Sequence, residues 1–320
     1  MRAITLALGI CCVGLASASF DLMLLGDNTT AGAQRVVRYD PVNRVVLGSF
    51  GTGFFNSNIQ DIAVDMSANR AYVLDSLGYV RTFDYYTGEF LQMNYVTANY
   101  NQITFDSVSG RVLFSSISGP LGLVGKAYTT TFSSAQNYSP NYGVYGNMAR
   151  RTDGNYYAYW DLNPGTTSFL VPRMFNVTTG VSSGVNSSSV GLGTIRGSLI
   201  GNDGRFYGLH LNSGNLNLYY CNTSFSGLVG GAGLMVGLGG TTFDNQDMVW
   251  GHGNVGYILD GNEISTYYGG MGIAGTQTLS FATGANIRGM ALVIAPEPGQ
   301  FVALGVGLCG LFLRRRKRDS

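Results

Sequence analysis

The chain has 320 residues, of which only 12% are charged, and its formal net charge is +1. Five of the cations crowd the last seven residues, so the stretch from 20 to 295 carries 13 Lys and Arg against 16 Asp and Glu, about −3. Nothing in that balance steers the body to nucleic acid, which calls for a clustered basic face, and a single cysteine in the same stretch, Cys221, excludes an intramolecular disulfide there.

The N-terminus reads as an export signal. Met1-Arg2 is a short basic region, Ala3 to Leu15 is apolar, and Ala16-Ser17-Ala18 offers the small residues that signal peptidase needs. Residues 1–19 are expected to be a signal peptide, cut after Ala18 or Ser19. Cys11 and Cys12 follow Ile10 and Cys11, not a small residue, which argues against a lipoprotein signal.

Residues 20–295 form the body. Gly, Ser, Thr, Asn, Tyr and Phe dominate it, and lysine occurs once, at Lys126. Aromatic and β-branched residues suit a pleated sheet while Gly and Asn supply turns, so this is the composition of strands and turns. A unit recurs: a short apolar strand, a Gly/Asn/Asp turn, and a strand rich in Tyr, Phe and Leu. It is seen at Asp61-Ile62-Ala63-Val64 with Ala71-Tyr72-Val73-Leu74-Asp75, at Gln102-Ile103-Thr104-Phe105 with Val112-Leu113-Phe114, and at Asn147-Met148-Ala149 with Tyr156-Tyr157-Ala158-Tyr159. Two more copies are Ser198-Leu199-Ile200 with Phe206-Tyr207-Gly208-Leu209, and Asp247-Met248-Val249-Trp250 with Tyr257-Ile258-Leu259-Asp260.

A third strand follows each pair. Centred on Tyr39, Phe83, Tyr128, Phe175, Tyr219 and Tyr267, these strands are spaced by 44, 45, 47, 44 and 48 residues. Four strands per repeat of that length is the arithmetic of a propeller blade. Gly289 to Ile294 supplies an innermost strand with nothing after it, whereas Leu22–Leu25, Arg35–Tyr39 and Arg44–Phe50 read as second, third and fourth strands with no first. Joining them gives an all-β, six-bladed β-propeller closed by N-terminal strands plus one C-terminal strand. The glycine-rich run from Gly227 to Gly240 reads as an irregular outer strand or a loop, and a two-sheet sandwich or a β-helix is the alternative architecture. Asp65 to Phe90, through Arg70-Ala71-Tyr72-Val73-Leu74-Asp75 and Tyr79-Val80-Arg81-Thr82-Phe83-Asp84, resembles the NHL and YVTN types of bacterial propeller repeat.

Few residues invite catalysis. His210 and His252 lie in separate repeats without a close His, Cys, Asp or Glu partner, and Cys221 has no evident base. Gly180-Val181-Ser182-Ser183-Gly184 matches a nucleophile elbow in letters, but no helix former follows it. No catalytic residue is assigned. Propeller geometry does bring the six inner-strand starts to one mouth of a central channel. Asp61, Gln102, Asn147 and Asp247 stand there as an oxygen-ligand set that could take a divalent cation such as calcium, as in some propeller lactonases. The plainer reading is a polar lining for a wet channel. Tyr85-Tyr86, Tyr156-Tyr157, Tyr219-Tyr220 and Tyr267-Tyr268 are paired so that one ring packs between blades while its neighbour can reach the surface, where tyrosine stacks on sugars.

The tail, 296–320, has three ordered parts: Pro296-Glu297-Pro298, an uncharged stretch from Phe301 to Leu313, and Arg314-Arg315-Arg316-Lys317-Arg318. Thirteen uncharged residues fall short of the roughly 20 a helix needs to cross hydrocarbon, so a short transmembrane helix is expected, with the arginines held on the cytoplasmic side. This arrangement closely resembles the PEP-CTERM sorting signal of Gram-negative bacteria. The resemblance implies recognition by an exosortase, tethering to the inner membrane before processing, and delivery to the cell surface or extracellular matrix, often alongside exopolysaccharide. The expected protein is thus an exported, non-enzymatic binding or structural propeller whose partner is polysaccharide or a surface protein. The alternative is a metal-dependent propeller lactonase or lyase acting at the channel mouth.

Overall fold

A computed structural model describes residues 21–115, 125–138, 145–151, 154–162, 169–176, 179, 181–184, 190–191, 194–201, 203–212, 215–221, 228–230, 246–251, 255–268, 272–281 and 286–294. The expected signal segment and the whole expected sorting tail, with Pro296, Glu297, Pro298, Arg314, Arg315, Arg316 and the expected membrane helix, lie outside the described residues. Among the described residues every regular element is a strand.

The first described elements are β1 (Leu22–Asp27), β2 (Arg35–Asp40) and β3 (Val45–Phe50). The second blade is β4 (Ile59–Asp65), β5 (Arg70–Asp75), β6 (Tyr79–Asp84) and β7 (Phe90–Tyr95); the third is β8 (Gln102–Asp106), β9 (Arg111–Ser115), β10 (Gly125–Thr129) and β11 (Ala135–Tyr138). The fourth is β12 (Tyr145–Arg150), β13 (Tyr156–Leu162), β14 (Phe169–Asn176) and β15 (Ser182–Gly184), with the short β16 (Val190–Gly191) also paired to β14. The fifth is β17 (Thr194–Ile200), β18 (Phe206–Asn212), β19 (Asn215–Cys221) and β20 (Leu228–Gly230). The sixth is β21 (Gln246–Trp250), β22 (Val255–Asp260), β23 (Glu263–Tyr268) and β24 (Gly272–Thr278), and β25 (Ile287–Val293) returns to pair with β1. The protein is a six-bladed β-propeller.

Its closing blade is β25-β1-β2-β3, so the last described strand is innermost and is joined to the first by Leu22↔Val293 through Leu25↔Met290. The strands centred on Tyr39, Phe83, Tyr128, Phe175, Tyr219 and Tyr267 are β2, β6, β10, β14, β19 and β23, the third strand of each blade. The Gly227–Gly240 run contributes a short outer strand at Leu228–Gly230.

Alternating residues along each strand face opposite neighbours, and the apolar ones meet between blades, not within them. Leu24, Ala291, Ile62 and Val73 join the closing blade to the second. Tyr72, Leu74, Ile103 and Phe114 join the second to the third, and Leu113, Met148 and Tyr159 the third to the fourth. Trp160 meets Phe206 between the fourth and fifth, Tyr207 meets Trp250 and Tyr267 between the fifth and sixth, and Leu259 meets Leu292 where the sixth returns to the closing blade. Each large apolar side chain among them, fully buried, contributes about 1.5–3 kcal/mol. Because stability resides at the interfaces, the ring must close for any blade to bury both faces.

Candidate functional site at the channel mouth

All six inner strands start at the same end of the channel, and the hydrogen-bond ladder slips there. Register shifts fall between Ile59 and Asp61 in β4, between Tyr145 and Ala149 in β12, between Arg196 and Leu199 in β17, and opposite Leu25/Gly26 in β25. An innermost strand pairs on one side only, so N–H groups on its channel edge, in the unbulged β8 and β21 as in the bulged β4 and β25, must find other acceptors once buried. Asp61 and Asp247 supply them.

Asp61 Oδ1 accepts from the N–H of Ile62 at 2.8 Å, and Oδ2 accepts from the N–H of Ile103 in the next blade at 2.8 Å. Asp247 repeats the arrangement: Oδ1 takes the N–H of Met248 and Oδ2 the N–H of Met290 in the closing blade, both at 2.7 Å. Each carboxylate therefore staples its own inner strand to the one that follows around the ring.

Glycine occupies two of the remaining positions for a complementary reason. Gly197 and Gly289 have φ of 52° and 70°, and a Cβ on either would lie 2.5 Å from the backbone of Met248 or Asp61 respectively. Left-handed backbone and close approach both demand glycine here. Reading from β17 through β21 and β25 to β4, the ring alternates Gly197, Asp247, Gly289, Asp61. Each glycine admits the aspartate-bearing backbone of the next blade.

The structure brings Asp61 and Asp247 together across the mouth, hydrogen-bonded to one another, at 3% and 5% exposure. Burial first, and the facing Asp247 carboxylate second, push Asp61 well above the usual carboxylate range, against the pull of its two N–H donors. Gln102 is buried and Asn147 half-buried; among the described residues neither Gln102 Oε1 nor Asn147 Oδ1 has a hydrogen-bond partner. Below the mouth is a cavity of about 260 Å³ in the channel, lined by residues such as Ile62, Ile103, Asn147, Ser198, Met248 and Trp250. Ser198 Oγ and Thr104 Oγ1 are likewise without partners there. No three His, Cys, Asp or Glu side chains among the described residues come together as a metal cage.

The other candidates resolve simply. His210 is buried in β18 with its ring edge-on to Tyr219 at 5.6 Å, while His252 lies outside the described residues. Burial pushes the Cys221 thiol up to about 12, which suppresses the thiolate a nucleophile needs. Ser182–Gly184 of the elbow-like run is an edge strand, β15. Two tyrosine pairs alternate as expected, with Tyr85 and Tyr267 buried and Tyr86 and Tyr268 59% and 40% exposed; Tyr157 is buried beside a half-buried Tyr156, and Tyr219 and Tyr220 are both half-buried.

Two features had no signal in residue spacing. Asp75 forms a buried ion pair with Arg81. Asp106 gathers Arg150, Tyr157 and Ser109, so that hydrogen bonds overcome the burial that opposes ionisation and hold its carboxyl below the usual range.

No family model and no curated protein matches the sequence. Among solved structures the chain is similar to TolB from Acinetobacter baumannii, at 13% identity and a TM-score of 0.56, covering 88% of this chain and 68% of that one. It is also similar to Kuenenia stuttgartiensis hydrazine synthase, at 14% identity and a TM-score of 0.53, covering 76% and 72%. The likeness is one of fold.

Proposed function

We propose that this chain is an exported β-propeller that works beyond the inner membrane as a non-enzymatic binding or structural module. Signal peptidase removes residues 1–19, the tail tethers the body to the inner membrane, and exosortase recognises Pro296-Glu297-Pro298 ahead of the apolar stretch and Arg314-Arg315-Arg316. The body then reaches the cell surface or matrix, where polysaccharide or another surface protein is its partner.

One observation carries the non-enzymatic reading: all four carboxylate oxygens of Asp61 and Asp247 already accept backbone N–H groups. Two of those bonds, from Ile103 and Met290, join blades, so a catalytic metal drawing on the same oxygens would compete with the closure of the ring. The rival reading, a metal-dependent lactonase or lyase using Asp61, Gln102, Asn147 and Asp247 around calcium, draws support from the partnerless Gln102 Oε1 and Asn147 Oδ1.

Incubating the purified protein with aliphatic lactones, with and without calcium, separates the two. No hydrolysis above an Asp61→Ala control is expected; calcium-dependent turnover abolished in that variant would establish the enzyme. A pull-down with matrix polysaccharide and surface protein from the producing cells tests the binding side, and capture of neither would remove it.

A further inference from the structure

The same turn closes several of the hairpins in this propeller. An aspartate begins it, accepts N–H groups two or three residues on, and the fifth residue adopts a left-handed backbone: Asp40 to Arg44, Asp65 to Asn69, Asp84 to Gly88, Asp106 to Gly110. Glycine and asparagine are the residues that tolerate that conformation. Arg44, at φ 61°, is the exception. Phe132, another non-glycine residue at positive φ, is held by ring contacts to Phe114, Tyr128 and Tyr72. Arg44 has no such reason: it is exposed, and no hydrogen bond or ion pair engages its guanidinium among the described residues. A strained position that no internal contact explains points outward.

Arg44 lines a cleft of about 180 Å³ between the closing and sixth blades. Opposite it, Ile264, Thr266 and Tyr268 project from one face of β23, passing from buried through half-buried to 40% exposed. The bulge between Thr266 and Tyr267 against β24 opens that face at its outer end. Pro41 and Val42 complete an apolar side. The turn that carries Arg44 is fixed by Asp40, whose Oδ1 accepts from Val42 and Asn43 and whose carbonyl accepts from the Arg44 N–H at 2.8 Å.

We infer that this cleft binds a uronic acid residue of an acidic polysaccharide. A guanidinium fork matches a carboxylate in bidentate fashion, an exposed tyrosine ring stacks on the C–H face of a pyranose, and the Thr266 hydroxyl can bond a ring hydroxyl. The cleft is smaller than a drug-sized pocket, so it takes one sugar ring of a longer chain. This rests on the binding-module reading above and names its ligand.

The test is calorimetric titration of the full chain, held in lauryldimethylamine oxide, with trigalacturonate and with maltotriose as the neutral control. Trigalacturonate should bind and maltotriose should bind more weakly. Arg44→Gly should lower trigalacturonate affinity about tenfold or more while the melting temperature stays level or rises, because glycine relieves the turn. Tyr268→Ala should weaken both sugars. Trigalacturonate binding that both variants leave intact would overturn the cleft yet leave the binding module standing. No binding of either sugar would also overturn it, and the matrix pull-down then decides the broader reading.

Discussion

Asp247 accepts a hydrogen bond from the backbone N–H of Met290 at 2.7 Å, across the seam where β25 closes the ring. Since Asp247 also holds the N–H of Met248, truncation would orphan two buried donors at once. Asp247→Ala should lose about 2–6 kcal/mol, each unsatisfied N–H costing about 1–3. Urea denaturation followed by tyrosine and tryptophan fluorescence checks this. A loss below about 0.5 kcal/mol, the range of an ordinary surface change, would contradict the staple.

The facing carboxylates make stability depend on pH. Asp61 titrates above its unfolded value because of burial and the neighbouring Asp247 charge. The folded state therefore holds a proton that the unfolded chain releases, so this contribution is full in acid and is lost as pH rises through the raised pKa. Asp106 acts in the opposite sense: its depressed pKa adds stability above the ordinary carboxylate range that disappears as pH falls through the folded value. Thermal unfolding across pH should thus show an optimum in mild acid. Asp61→Asn, which keeps a neutral donor toward Asp247, should flatten the alkaline limb, and a limb as steep as in the wild type would rule out Asp61 as its source.

Two glycines at positive φ should respond unequally to alanine. Gly289→Ala places a Cβ 2.5 Å from Asp61 Cα and should cost about 2–5 kcal/mol from overpacking and left-handed strain together. At Gly110 a Cβ would meet nothing within 4 Å, so Gly110→Ala should cost only the strain, about 1–2 kcal/mol. Matched denaturation curves test the difference; equal losses would mean the close approach at Gly289 contributes nothing.

For sorting, replacing Pro296-Glu297-Pro298 with alanines should leave the tail uncut and the protein in the membrane fraction of the producing bacterium. Immunoblotting of fractionated cells reads this directly. Normal release would remove exosortase from the proposal.

Much of the fold was legible because a propeller repeats its physics. Tyr39, Phe83, Tyr128, Phe175, Tyr219 and Tyr267 each fill an equivalent place on a third strand, and a short C-terminal strand with no sequel had to pair with N-terminal strands that lacked an inner neighbour. The candidate site was legible only in part. Asp61 and Asp247 were found by position, but their partners, Ile103 and Met290, lie 42 and 43 residues away and are backbone groups with no sequence signature. The bulge beside Met290 in β25 left no pattern to read either. Gly197 and Gly289 were visible as letters, yet their use emerges only when Met248 and Asp61 are seen against them. Arg44 gave no signal at all, since its distinction is a backbone angle set against glycine and asparagine in the equivalent turns.

Thermal unfolding of the wild type and Asp247→Ala, each in chelator and in saturating calcium, tests most directly whether the mouth carboxylates are staples or ligands. A bound cation would raise the melting temperature by mass action. As staples, the carboxylates should leave the wild-type melting temperature unmoved by calcium while Asp247→Ala melts lower in both conditions. A calcium-dependent rise in the wild type that vanishes in Asp247→Ala would contradict this and place a metal at the channel mouth.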